Sequence, residues 1–74
     1  MNDAERQQKI EAFRKRLTDD PDSRIFAPLA DLLRIGGRLD EALELLTAGL
    51  EKDPTYLSAR VIQGRTLLDA GRSD

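Results

Sequence analysis

Apolar positions recur along this chain at intervals of three and four residues and nowhere alternate, so the pattern predicts helices and no strands. Ile10, Phe13 and Leu17 form one stripe on an otherwise charged segment, which predicts a first helix over residues 4–18. Asn2, followed three residues later by Glu5, fits a capping box at its start. Arg14-Lys15-Arg16 suits the negative end of its dipole, and Asp19-Asp20-Pro21-Asp22 breaks it. A second segment, residues 23–35, carries Phe26, Leu29, Ala30, Leu32 and Leu33. Pro28 would remove an intrahelical bond if that helix began at Asp22 or Ser23, so an irregular or late first turn is expected. Gly36-Gly37 ends the segment, with one glycine at positive φ. The third helix is expected to start at Asp40 as its N-cap and to run to Lys52, with Ala42, Leu43, Leu46, Gly49 and Leu50 on one side. Asp53-Pro54 stops it. The fourth, residues 55–70, has Leu57, Val61, Gly64, Leu67 and Leu68 on its predicted apolar side and ends at Gly71. The fold class is all-α, about four helices.

The helices also repeat. Shifting the chain by 34 residues lays Gly37-Arg38 on Gly71-Arg72, Asp40 on Asp74, Leu33 on Leu67 and small Ala30 on small Gly64. Glycines that recur at a helix-to-helix turn are informative because they report a backbone conformation. Phe26-x2-Leu29-Ala30-x2-Leu33, then Ala42-x3-Leu46, then Pro54, resembles the tetratricopeptide repeat, with one full repeat over about residues 23–56. Leu33 replaces that family's aromatic and Ala30 its glycine. Small Ala30, Ala42, Gly49 and Gly64 are expected to let helix backbones approach closely. The resemblance implies a short right-handed α-solenoid of antiparallel helix pairs. Residues 1–19 then form an N-terminal amphipathic helix, residues 20–56 the complete repeat, and residues 57–74 the first helix of a following repeat. In that first helix Lys9 and Arg16 stand where the family has alanine. Because the turn at Gly71-Arg72-Ser73-Asp74 matches Gly37-Arg38-Leu39-Asp40, the chain is expected to be the N-terminal part of a larger protein.

Composition narrows the function. With 74 residues, 39% apolar and only three aromatics (Phe13, Phe26, Tyr56), a single core is marginal. The chain has no histidine and no cysteine, which removes the commonest general base, the thiol nucleophile and the usual structural zinc ligands. Ser23, Ser58 and Ser73 lie in no nucleophile-elbow motif. The acidic groups Asp19-Asp20-Asp22 and Asp40-Glu41 stand beside predicted helix starts and are read as caps. No catalytic residue, metal site or cofactor is predicted, and the chain is read as not an enzyme. A net charge of −2 and the lack of a long apolar run argue against a nucleic-acid or membrane partner. The polar N-terminus has no signal-peptide pattern, so a cytoplasmic location is expected.

What remains is binding. The resemblance implies a scaffold or adaptor that holds a peptide or protein segment on its concave face. Its groove positions fall on Arg24, Ala27, Asp31, Arg34 and Ile35 of the second helix and on Ser58, Val61, Arg65, Leu68 and Asp69 of the fourth. Three arginines there favour an acidic or C-terminal peptide through bidentate contacts to carboxylates. Asp31–Arg34 and Arg65–Asp69 can equally offset one another along their helices. The apolar surface of the last helix predicts homodimer formation or other self-association. The alternative is a nucleic-acid-binding or regulatory helical module that uses Lys9, Arg14, Lys15 and Arg16. No aromatic residues interleave that cluster, as a stacking platform would require.

Overall fold

The computed structural model describes residues 2–71 and is all-helical, with no strand among them. Four helices follow in order: α1 (Asp3–Asp19), α2 (Phe26–Ile35), α3 (Leu39–Lys52) and α4 (Leu57–Asp69). Arg72, Ser73 and Asp74 lie outside the described residues, and with them the second copy of the Gly-Arg-x-Asp turn beyond its glycine.

Local chemistry explains the boundaries. The Asn2 side chain accepts from the Glu5 N–H at 2.8 Å, capping α1 as its spacing suggests. The late start of α2 is real: its first α-type bond runs from the Leu29 N–H to the Ile25 carbonyl at 3.1 Å. Pro28 therefore falls within the first turn, where a missing N–H costs no intrahelical bond. At the other end Gly37 takes φ +83°. The Arg38 N–H then reaches back to the Leu33 carbonyl and the Gly37 N–H to the Arg34 carbonyl, a Schellman closure. Gly71 repeats the conformation at φ +74° after α4.

Two capping expectations need correction. The Schellman turn closes at Arg38, so α3 begins at Leu39 with Arg38 as N-cap, and Asp40 lies inside the first turn rather than at the cap. Its charge still suits the positive end of the helix dipole there. Asp19 ends α1 and Asp20 is its C-cap, whereas the N-cap of α2, Ile25, has no side-chain bond. The late start of α2 leaves those acids too early in the chain to cap it.

The core gathers around α2, which packs against each of the other three helices. Phe26, Ala27, Leu29, Ala30 and Leu33 of α2 are buried, joined by Ile10, Ala42, Leu46 and Ala59. Each fully buried leucine contributes roughly 1.5–3 kcal/mol relative to exposure. Close approach depends on small residues. A Cβ at Gly49 of α3 would overlap the Phe26 ring, and Ala30 and Ala42 have no exposed surface at all. The Phe26 ring in turn meets Tyr56 edge-on, with centroids 5.8 Å apart.

Gly64 does not behave this way. A Cβ there would meet nothing within 4 Å, so it brings no helix close among the described residues. The apolar stripe of α4 is its outer side, and other residues face the core. Ala59 and Thr66 are fully buried and Ile62 packs against the core, while Leu57, Val61 and Leu68 point outward. Thr66 can be buried because its hydroxyl donates to the Ile62 carbonyl at 2.7 Å, which leaves no unsatisfied polar atom.

Candidate interaction surfaces

Helices α2 and α4 lie against one another, and their C-terminal ends are joined by Arg34. Its guanidinium donates to Asp69 at 2.9 Å and to Asp31 at 3.0 Å. The hydrogen bond to Asp69, then that to Asp31, raises its pKa above an already high value. Arg34 is thus a fork that holds two carboxylates of its own chain.

Arg24 is similarly engaged. It donates to Asp53 at 2.6 Å and its guanidinium sits 4.5 Å over the Tyr56 ring. That contact joins the α1–α2 connection to the α3–α4 connection. Ala27, placed by sequence among the binding residues, is fully buried in the core, on the helix around which the other three pack. It therefore offers no surface to a partner. Of the ten positions expected to form a groove, Arg24, Asp31, Arg34 and Asp69 are bound within the chain and Ala27 is inside it.

The rest remain available. Ser58 and Arg65 are exposed, Ile35 is 53% exposed, Val61 54% and Leu68 71%. Arg65 makes no ion pair or hydrogen bond with the described residues, so the expected Arg65–Asp69 pair is replaced by Arg34–Asp69. The surface accordingly combines three apolar side chains with one uncommitted cation.

A second concavity lies elsewhere and was not anticipated. Helices α1 and α3 both reach α2's side of the molecule but do not pack on each other. A hollow of about 500 Å³ opens between them, lined by Leu17, Leu29, Leu33, Leu45 and Ala48. At one end Arg14 donates to Glu41 at 2.7 Å, and Arg38 donates to the same carboxylate. Arg14 and then Arg38 hold the Glu41 carboxyl below its ordinary value of 4.5. Past Leu17, Leu45 and Ala48 a smaller hollow adjoins it, where Lys52 reaches the Pro21 carbonyl and lies 3.7 Å from Asp22. Two polar straps thus span a trough whose leucines are interleaved with Thr18 and Glu44.

The basic residues of α1 do not form one patch free for a polyanion. Lys9, Lys15 and Arg16 are exposed, but Arg14 is committed to Glu41. Among the described residues no acidic cluster could hold a metal ion, and no helix is long and apolar enough to cross a membrane. No family model matches this chain, and no curated protein or solved structure matches it.

Proposed function

We propose that this chain is a helical protein-interaction module of the tetratricopeptide type, one that binds a peptide or protein segment across α2 and α4 and carries out no chemistry. The observation that supports this most is the pairing of exposed Ile35, Val61 and Leu68 with the uncommitted Arg65. Apolar side chains supply contact area, and an unpaired guanidinium can take a carboxylate bidentately. The segment it suits is therefore short, acidic or C-terminal, with aliphatic side chains beside its carboxylate. The contact set is smaller than the sequence pattern implies: Ile35, Ser58, Val61, Arg65 and Leu68.

The test is a fluorescence-anisotropy titration of labelled acidic-aliphatic peptides with free and amidated C-termini. R65E should weaken binding at least about tenfold, the loss of one charge-assisted bidentate contact. K15E combined with R16E should leave it unchanged. Equal binding by wild type and R65E, or none at millimolar protein, would reject the reading. Tight, steeply salt-dependent binding of duplex DNA that K15E and R16E abolish would instead favour the nucleic-acid alternative.

A further inference from the structure

The outward edge of α4 has a pattern of its own. Leu57, Val61, Gly64 and Leu68 are spaced by four, three and four residues, which places them on one face of the helix. Leu57 is 73% exposed, Val61 54% and Leu68 71%, and the space above Gly64 is empty to 4 Å. The four positions themselves carry no charge, and exposed Arg60 and Arg65 flank them on either side.

The same intervals are read in either chain direction. An antiparallel copy of α4 laid against this edge sets Leu57 opposite the second copy's Leu68, and Val61 opposite its Gly64. Large meets small twice, once for each Val61–Gly64 pair. Such a self-complementary arrangement is what a two-fold interface requires.

We propose that this edge is a homodimer interface, in which two copies of the chain pair their α4 helices antiparallel with Val61 of each seated over Gly64 of the other. The expected strength follows from its size. A 13-residue helix is about 20 Å long and offers less than the roughly 800 Å² per partner of a standard stable interface. The pair should therefore form at tens to hundreds of micromolar and dissociate on dilution, an order of magnitude set by that area argument. Val61 and Leu68 also belong to the proposed peptide surface, so a bound peptide and a second copy compete. The pairing does not rest on the peptide reading and stands or falls without it.

Sedimentation equilibrium over a wide concentration range tests it, with circular dichroism and urea unfolding as the check on each variant's fold. Wild type should pass from 8.3 kDa towards twice that mass and stop there. L68E and G64V should each weaken association at least about tenfold, the charge by desolvation and the valine by filling the hole. V61G should do the same by removing the knob. The swap V61G with G64V rebuilds the knob and hole in the reverse order and should recover dimerisation. A strict monomer at millimolar wild type, growth beyond a dimer, or undiminished association in folded G64V or L68E would each overturn the proposal. If V61G or the swap fails to fold, L68E and G64V decide it alone.

Discussion

Helices α2 and α4 stand 34 residues apart, run to the same left-handed glycine turn and lie side by side, yet they are used differently. In α2 five residues are buried, among them two leucines and a phenylalanine. In α4 the buried residues are an alanine and a threonine, and its large side chains face outward. The cause is position. Helix α2 has neighbours on three sides, whereas α4 has α2 and α3 only. A helix's own pattern says which faces could be covered, and its neighbours decide which one is.

The sharpest way to break this contrast is to truncate one leucine on each helix. L33A should cost about 2–5 kcal/mol, enough to unfold a domain this small, because Leu33 is fully enclosed. L68A should change the stability of dilute protein by no more than about 0.5 kcal/mol. Urea unfolding measures both, and similar losses would mean that the edge of α4 is covered in solution even at low concentration.

Glycine gives the next largest separation. G49A forces a methyl group into the Phe26 ring and should destabilise by about 1–3 kcal/mol. G64A meets no neighbour and should stabilise dilute protein by about 0.5–1 kcal/mol, the gain in helix propensity alone. Thermal melts of the two variants should therefore move in opposite directions. The turn itself separates from both: G37A places a side chain at φ +83° and should cost about 1 kcal/mol. Double replacement with G71A would be close to additive if the two turns are independent.

The smallest effect expected is that of pH on Glu41. Its folded pKa lies below its ordinary value, so its stabilising contribution is complete above about 4.5 and is lost as pH falls through the lowered value. The carboxyl resonance of Glu41, followed by NMR, should titrate below the ordinary glutamate value of 4.5. An ordinary midpoint would show that the Arg14 and Arg38 contacts do not persist in solution.

How far the sequence was legible follows the same contrast. The four helices, the late start forced by Pro28 and the positive-φ glycine all come from local chemistry, and each is present in the fold. Packing partners are not local. Leu57, Val61 and Leu68 satisfy a helical stripe without saying which neighbour covers it, while Thr66 hides its suitability for the core in a hydroxyl bond to its own helix. The candidate surface was legible only in part. Arg24 and Arg34 carry the right chemistry for a ligand, but their carboxylates come from Asp53, Asp31 and Asp69. The trough between α1 and α3 had no signature in the sequence, because it is set by which helices fail to meet.

The straps across that trough have a mechanical consequence. Helix α1 fully buries a single residue, Ile10, with Phe13 and Leu17 half-buried against the core, packs on α2 alone, and meets α3 through one exposed ion pair, Arg14–Glu41. Such a helix opens at lower free energy than the rest. Amide hydrogens of α1 should exchange with solvent ahead of those of α2, α3 and the inner face of α4. Undocking α1 would uncover the sides of Leu29 and Leu33, turning a shallow trough into an open apolar shelf. The first helix would then serve as a cover over α2 alone.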